Sequence, residues 1–322
     1  MGLFFIMRND WTFKEAKQIF NLPLIELLYK AQTIHRKYFD PNKIQISMLL
    51  NIKTGNCPEN CGYCSQSSHY KTDLQKEPLV NIDTLVSEAK KAKELGSTRF
   101  CMGAAWRSPL DKDLKIVCQM IEEVKKLGLE TCVTLGFLKE HQIAMLKKAG
   151  LDFYNHNVNT SPEFYENIAT THTFDSRLAT LKAVRKFGIK LCSGGIIGLG
   201  ETIDDRISML LLLATLEEQP ESVPINRFVK VAGTPLNPQS DIDPFDFVRI
   251  IALTRILMPK SYIRLAAGRE QMSDELQTLC FMGGANAIFY GGRLLTTDGP
   301  QPEQDNLLFQ KIGLEKVQTI RH

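Results

Sequence analysis

The sequence predicts an α/β fold, a (β/α)8 barrel of the TIM type that follows a short N-terminal helical extension. Two observations predict it. A helix that ends in basic residues and a glycine recurs along the chain, at Gly96, Gly128, Gly150 and Gly188. Basic residues in the last turn and a glycine just beyond it are the usual end of a helix. A short apolar segment follows each glycine, and helices that alternate with strands indicate a parallel sheet.

Eight apolar segments are the predicted strands. Each is short and is followed by polar or glycine-rich residues, as buried strands are. The segments cover residues 44–52, 97–103, 129–136, 151–157, 189–195, 222–230, 261–268 and 285–292. Eight strand–helix units in about 250 residues match the usual size of one barrel. Because strand order is not visible in a sequence, a doubly wound sheet is the alternative fold.

The predicted domain organisation is simple. Residues 1–40 are expected to form the N-terminal helical extension, and residues 41–322 the barrel domain. Residues 303–312 are expected to form a terminal helix. No proline- or serine-rich linker interrupts the chain, which favours a single domain overall.

The composition is that of an ordinary globular protein, with 43% apolar and 23% charged residues. The net charge of +3 is small, and the absence of a concentrated basic stripe argues against nucleic-acid binding. No apolar stretch reaches the roughly 18 residues of a membrane helix, and the N-terminus lacks the pattern of a secretory signal. We therefore expect a cytoplasmic protein, in which the eight cysteines serve metal binding or catalysis rather than disulfides.

Three cysteines stand close together, at Cys57, Cys61 and Cys64 in the run GNCPENCGYCSQ. We call them the first cysteine set. Thiolates are soft ligands that suit iron–sulfur clusters, zinc or copper(I). A closed cluster or a structural zinc site takes four protein ligands, so a set of three leaves one metal position open for chemistry. A zinc loop or a chance grouping is the alternative.

Three further cysteines follow the repeated glycines at nearly equal distances. Cys101 lies five residues after its glycine, and Cys132 and Cys192 lie four residues after theirs. We call them the second cysteine set. Equivalent positions in successive units of a barrel meet inside it, near the carboxyl ends of the strands where barrel active sites lie. A lone buried cysteine is usually a small apolar core residue, but agreement across three units favours a second metal site.

The first cysteine set, with Tyr63 before its last cysteine, resembles the CxxxCxxC signature of the radical S-adenosylmethionine (SAM) enzymes. Further segments resemble the biotin synthase family, in the family's order, from about residue 44 to residue 312. They include STRFCMGAAW, ETCVTLG, YNHN, TSPEFY, KLCSGGIIGLGE, ESVPIN, YIRLAAGREQM, CFMGGAN, IFYG and LLTT. This resemblance covers most of the chain and is far more specific than the cysteine motif by itself.

The resemblance implies two iron–sulfur clusters. The first cysteine set would hold a [4Fe–4S] cluster whose fourth iron binds SAM. The second cysteine set would hold a [2Fe–2S] cluster together with Arg264. From the residues alone, an arginine within a strand predicts a buried carboxylate or a substrate anion as its partner, since a guanidinium donates hydrogen bonds and accepts none. The role of Arg264 as an iron ligand therefore follows only from the resemblance.

The implied reaction is the conversion of dethiobiotin to biotin, which makes the chain a sulfurtransferase. SAM would be cleaved to a 5′-deoxyadenosyl radical, and the [2Fe–2S] cluster would donate the sulfur, so no side chain is expected to be a catalytic residue. The family also implies a flavodoxin or ferredoxin as electron donor and a homodimer. One alternative is another radical SAM barrel enzyme, such as a maturase or a methylase-like relative, without sulfur donation. Another is a structural zinc or iron protein without turnover.

The remaining site residues match the family by position. Without the resemblance, most of them would be interpreted as turn and capping residues. Those that the resemblance assigns to SAM are Tyr63, His156, Asn157, Asn159, Arg177 and Ile196. Those that it assigns to the substrate are Asn155, Asn157, Asn226, Thr296 and Thr297. Many relatives have aspartate at the position of Asn159, so this residue departs from the usual pattern.

Overall fold

The computed structural model describes residues 8–291, 293–294 and 297–318, and leaves the side chains of 292–298 undescribed. The helices are α1 (Phe13–Phe20), α2 (Leu24–Tyr38), α3 (Ile82–Glu94), α4 (Asp111–Lys126), α5 (Glu140–Lys148), α6 (Phe174–Lys186), α7 (Ile203–Ala214), α8 (Pro244–Leu257), α9 (Asp274–Met282) and α10 (Pro302–Ile312). The strands are β1 (Lys43–Lys53), β2 (Arg99–Ala104), β3 (Glu130–Thr134), β4 (Phe153–Asn155), β5 (Lys190–Cys192), β6 (Gly195–Ile197), β7 (Ser222–Arg227), β8 (Tyr262–Leu265), β9 (Ala287–Phe289), β10 (Arg293–Leu294), β11 (Thr297–Asp298) and β12 (Glu315–Lys316).

Eight parallel strands close into a barrel, as predicted. They pair in the order β1, β2, β3, β4, β5, β7, β8 and β9, and β9 pairs with β1. The closing pair aligns Gln45 with Ala287 and Ser47 with Phe289. This closure shows that the alternative of a doubly wound open sheet is wrong. Helices α1 and α2 precede β1 and pack on α7 and α8, so the extension lies outside the barrel.

The repeated glycines end helices, as their spacing predicts. Gly96, Gly128, Gly150 and Gly188 have φ values of +89°, +79°, +86° and +64°. This left-handed conformation is easily reached by glycine because it lacks a Cβ atom. Each helix therefore stops at a fixed point, and the next strand enters the barrel from the same end. The carboxyl ends of the strands consequently meet at the other end, where they form the candidate site.

The fifth predicted strand, over residues 189–195, is divided in two. Strand β5 ends at Cys192, and β6 begins at Gly195 and pairs with β7. Between them the chain passes very close to β7, because a Cβ atom on Gly194 would lie 2.0 Å from the carbonyl oxygen of Pro224. Two short pairings were not predicted: the antiparallel hairpin β10–β11, and β12, which extends the sheet beside β1.

Replacing Gly194 with alanine is expected to destabilise the barrel strongly. The added Cβ atom would meet the backbone of Pro224, which cannot rotate away as a flexible side chain does. Overpacking typically costs about 1–3 kcal/mol, and we expect the free energy of unfolding to fall by at least about 2 kcal/mol. Urea denaturation of the two proteins measures this loss.

Gly128→Ala is the matched control for this prediction. A Cβ atom at Gly128 meets no other atom within 4 Å, although its φ of +79° is left-handed. The backbone penalty alone is about 1–2 kcal/mol, so the control is expected to lose less stability than Gly194→Ala. Equal losses in the two variants would contradict the steric explanation.

Among the described residues, no helix combines the length and the apolar character that crossing a membrane requires.

Candidate active site

A cavity of about 330 Å³ lies at the carboxyl ends of the barrel strands. We call it the mouth cavity. Its wall includes the whole first cysteine set and, from the second set, Cys101 and Cys132. Cys192 belongs to the same buried cluster as Cys101 and Cys132. The structure therefore brings together six cysteines that lie up to 135 residues apart in the sequence (57 to 192).

The first cysteine set lies on the loop that follows β1. Backbone hydrogen bonds fold the loop on itself: Cys57 N–H donates to Gln66 O at 2.9 Å, and Cys64 N–H donates to Cys61 O at 3.0 Å. Gly62 N–H donates to Ile168 O at 2.7 Å, which joins the loop to the segment after β4. The three thiols are thus presented to the mouth cavity by a loop whose backbone is bonded on both sides.

Burial raises the pKa of all three thiols in this set, that of Cys64 to about 12. Since the thiolate is the metal ligand, bound metal ions would have to supply the positive charge that removes these protons. A loop that presents three thiols to one cavity fits a cluster with one open iron. The donor set therefore suits the predicted [4Fe–4S] cluster.

In the described part of the chain, no three His, Cys, Asp or Glu side chains converge as a single metal ion requires. An iron–sulfur cluster differs from a single ion, because it spreads its thiolate ligands over several iron atoms.

The second cysteine set lies inside the barrel, on β2, β3 and β5. Cys101 is in register with Cys132 on the neighbouring strand, and both lie in one buried cluster with Cys192. The three side chains are only 5%, 2% and 2% exposed. Asn155 Nδ2 donates to Cys192 Sγ at 3.3 Å. A residue that is predicted to bind the substrate is therefore in contact with the second cysteine set.

Arg264 projects into the same interior from β8 and is 1% exposed. Its Nη1 donates to Ile288 O at 2.7 Å and its Nη2 to Gln45 Oε1 at 2.9 Å. No described carboxylate pairs with it, so the partner that the sequence alone suggested is not found there. A hydrogen bond with Cys132, together with the charges of Arg264 and Arg99, lowers the pKa of Cys192 to about 6. This buried set of thiols and guanidinium groups suits an iron–sulfur cluster that needs thiolate ligands.

Arg99 is a candidate site residue that the sequence analysis missed. It is 1% exposed, and its guanidinium carbon lies 3.4 Å from the centre of the Phe153 ring. Its Nη2 donates to Glu130 Oε2 at 2.9 Å, whereas its Nη1 has no hydrogen-bond partner among the described residues. A signal was available, because Arg99 lies two residues before Cys101 and side chains two apart in a strand share a face.

The predicted SAM and substrate residues also meet at the mouth cavity. Those that line it are Tyr63, Asn155, His156, Asn157, Asn159, Arg177, Ile196 and Asn226. Asn226 Nδ2 donates to Gly195 O at 2.9 Å, and its Oδ1 accepts from Ala267 N–H at 3.1 Å. The Asn226 amide therefore links β7 to the start of β6 and to the segment that follows β8. Thr296 lies outside the described residues, and so does the side chain of Thr297.

Asn159 has a left-handed backbone, with a φ of +71°. Asparagine tolerates this conformation better than most residues. Its carbonyl oxygen accepts from Ile196 N–H at 2.8 Å, so the turn is bonded to β6. Asn159 also lines the mouth cavity.

His156 is buried, and its Nε2 has no hydrogen-bond partner among the described residues. Burial lowers its pKa well below the ordinary value, so the imidazole is neutral. A neutral ring on the cavity wall can donate or accept one hydrogen bond at this nitrogen.

Similarity to solved structures supports the fold class. The chain aligns with methylornithine synthase at a TM-score of 0.81 and 19% identity, over 96% of this chain and 94% of that one. It aligns with the FeFe-hydrogenase maturase HydG from Carboxydothermus hydrogenoformans at a TM-score of 0.82 and 19% identity, over 95% and 76%. At this identity the likeness concerns the fold only.

Family models identify the class of protein. The radical SAM superfamily model matches residues 51–213, and the Biotin and Thiamin Synthesis associated domain model matches residues 224–315. Together with the barrel and its mouth cavity, these matches define a radical SAM barrel protein.

Sequence relatives then identify the family. The chain is 97% identical to the biotin synthase of Lawsonia intracellularis, over 98% of this chain and 100% of that protein. It is 67% identical to the biotin synthase of Rickettsia felis, over 95% and 99%. This chain belongs to the biotin synthase family. The resemblance stated from the sequence is confirmed, and identity this high over nearly the whole length favours it over the maturase or methylase-like alternative.

Proposed function

We propose that this chain converts dethiobiotin to biotin by inserting sulfur, and that its two cysteine sets divide the work. The observation that carries the proposal is that the first cysteine set lines the same cavity as Cys101 and Cys132, which form one buried cluster with Cys192 inside the barrel. A substrate between them would have a radical source on one side and a sulfur source on the other. Family membership supports the reaction, and the cavity supports the assignment of its parts to residues.

The first cysteine set is proposed to hold the [4Fe–4S] cluster, and the second set with Arg264 the [2Fe–2S] cluster. When bound, the first cluster supplies the electron that cleaves SAM to a 5′-deoxyadenosyl radical, and the second supplies the sulfur. Such a radical attacks any accessible C–H bond, so the protein has to exclude water and hold the substrate in a fixed position. The parallel barrel and the loop bonded across its mouth are suited to this task.

Side chains at the mouth cavity are proposed to bind and orient the two small molecules. Arg177 is proposed to bind the carboxylate of SAM, since a guanidinium matches a carboxylate in two parallel hydrogen bonds. Asn155 is proposed to contact the neutral ureido ring of dethiobiotin, because an amide both donates and accepts. Its hydrogen bond to Cys192 would place that ring beside the second cysteine set.

The remaining contacts are proposed from the family resemblance. Tyr63, His156, Asn157, Asn159 and Ile196 are assigned to SAM. All five line the mouth cavity, which supports a common ligand.

Asn155, Asn157 and Asn226 are assigned to the substrate ring, and Thr296 and Thr297 to its carboxylate tail. We further propose a cytoplasmic homodimer whose electron donor is a flavodoxin or a ferredoxin. The location, the dimer and the electron donor are proposed from the family resemblance.

The experiment that tests the function is an anaerobic reaction of cluster-loaded protein with SAM, a reductant and dethiobiotin, followed by mass spectrometry. We expect biotin and 5′-deoxyadenosine. If protein shown to contain both clusters forms 5′-deoxyadenosine without biotin, the proposed substrate is wrong. If neither product forms, the proposed division of work between the two cysteine sets is wrong as well.

A further inference from the structure

Glu59 lies within the first cysteine set, between Cys57 and Cys61, and its side chain is 7% exposed. We propose that Glu59 and His172 form a fixed connection from the cysteine loop to Arg177, and that His172 positions the Arg177 guanidinium for the carboxylate of SAM. This inference deepens the proposed function, on which it rests.

The connection begins with a short hydrogen bond. His172 Nδ1 lies 2.6 Å from Glu59 Oε2, and the histidine side chain is 1% exposed. Arg107 Nη1 lies 3.2 Å from Glu59 Oε1, so the carboxylate also has a cationic partner. Contacts on both of its oxygens hold the Glu59 carboxylate in one orientation.

The connection continues on the other side of the ring. Arg177 Nη2 lies 3.2 Å from His172 Nε2. An arginine can only donate, so the nitrogen of His172 that faces Arg177 has to accept. His172 must therefore carry its proton on Nδ1 and accept at Nε2, so it is a neutral imidazole in a single tautomer. A second proton at Nε2 would point at the donor on Arg177.

Aromatic rings hold the imidazole in this orientation. The rings of Phe137 and Tyr165 lie with their centres 5.3 Å and 5.8 Å from that of His172, both in edge-to-face geometry. Such contacts stabilise an aromatic pair by about 0.5–1.5 kcal/mol. With polar contacts at both nitrogens and rings on its faces, His172 has little freedom to rotate.

The hydrogen bonds of the Arg177 guanidinium show which of its N–H groups remain for a ligand. Its Nε donates to the hydroxyl of Tyr165, its Nη1 to Asn157 O at 3.0 Å, and its Nη2 to His172. A guanidinium has five N–H groups, so two remain without a described partner, one on each terminal nitrogen. Because Arg177 lines the mouth cavity, these two groups can donate to a carboxylate that binds there.

The same segment is bonded to the cysteine loop beside Glu59. Asn60 Oδ1 accepts from Thr170 N–H at 2.9 Å, and Thr171 Oγ1 accepts from Asn60 N–H at 3.1 Å. The Thr171 hydroxyl also donates to Glu59. The loop that carries the first cysteine set and the segment that carries His172 are therefore joined as one unit. We expect a change at Glu59 or His172 to alter SAM binding before it alters the fold.

Two substitutions at His172 separate its two contacts. The amide of asparagine reaches the position of Nδ1, so His172→Asn keeps a donor for Glu59 and loses the acceptor for Arg177. The amide of glutamine reaches the position of Nε2, so His172→Gln restores that acceptor. His141→Asn is the matched control, because His141 also pairs with a carboxylate, Asp111, at 3.1 Å but is exposed and does not line the mouth cavity.

The readouts are iron content, thermal stability, and the dissociation constant of SAM from cluster-loaded protein in equilibrium dialysis. We expect His172→Asn to keep its iron and to bind SAM about tenfold more weakly, the effect of one lost charge-assisted hydrogen bond. His172→Gln is expected to stay within about threefold of the unsubstituted protein. His141→Asn is expected to leave SAM binding unchanged.

Glu59 provides a second pair of variants. Glu59→Gln keeps an acceptor for His172 Nδ1, whereas Glu59→Leu removes it, so only the leucine variant is expected to weaken SAM binding. The inference is overturned if iron-loaded His172→Asn, or iron-loaded Glu59→Leu, binds SAM as the unsubstituted protein does. If the cluster-loaded protein without substitutions does not bind SAM, the proposed function itself fails, and the two outcomes are thereby distinguished.

Discussion

Cys61→Ala is expected to abolish both 5′-deoxyadenosine and biotin formation. Cys61 is the central thiol of the first cysteine set and is 8% exposed, and the methyl group of alanine cannot bind iron. Loss of a residue that is hydrogen-bonded to a metal ligand already lowers metal affinity or activity by about 10- to 100-fold. Loss of the ligand itself is therefore expected to cost more than about a hundredfold in both products. Mass spectrometry of anaerobic reactions measures both in one sample.

Cys118→Ala is the control for this variant. Cys118 lies half-buried on α4 and does not line the mouth cavity. It is expected to form both products at the rate of the unsubstituted protein. Substantial 5′-deoxyadenosine from Cys61→Ala, in protein whose iron content has been measured, would be incompatible with the proposed role of the first cysteine set.

Local signals predicted most of the fold. A helix end is a local event, so the glycines at Gly96, Gly128, Gly150 and Gly188 and the apolar segments after them are sufficient to place the repeating units. The closure of the barrel is different in kind. It depends on the pairing of β1 with β9, whose aligned residues Gln45 and Ala287 lie 242 positions apart (287 − 45). No local pattern in the sequence contains that pairing, and only the size of the chain favoured a barrel over an open sheet.

The division of the fifth strand shows a second limit. The pattern of residues 189–195 predicts one continuous strand, because apolar residues followed by glycines are compatible with an extended chain. The break arises from the close approach of Gly194 to the Pro224 carbonyl. That approach is a packing contact between two units of the barrel, and the sequence of either unit by itself does not reveal it.

The cysteine positions were predictable because they repeat with the units that carry them. Arg99 could have been found by the two-residue period of β2. His172 could not, because its meaning lies in contacts with Glu59, 113 positions away, and with Arg177 on α6. A histidine takes its tautomer from whatever its two nitrogens meet, and the sequence specifies those partners only through the complete fold.

Cys132→Ala is expected to separate the two halves of the reaction. The variant keeps the first cysteine set and the residues assigned to SAM, so 5′-deoxyadenosine formation is expected to stay within about threefold of normal. The rate of biotin formation is expected to fall by more than about a hundredfold. The physical reason is position: Cys132 lies in register with Cys101 on the neighbouring strand and in one buried cluster with Cys101 and Cys192. Neither neighbour can replace it without leaving its own place in the barrel.

Cys280→Ala is the matched control, since Cys280 is also fully buried but lies on α9 in the apolar core. Both substitutions remove one buried sulfur atom and leave a small void, so they are expected to lose similar stability in urea denaturation. Only Cys132→Ala should lose biotin. If the two variants form biotin equally well, the second cysteine set is not the sulfur site. If Cys132→Ala also stops making 5′-deoxyadenosine while its first-set iron is intact, the two sets do not act separately.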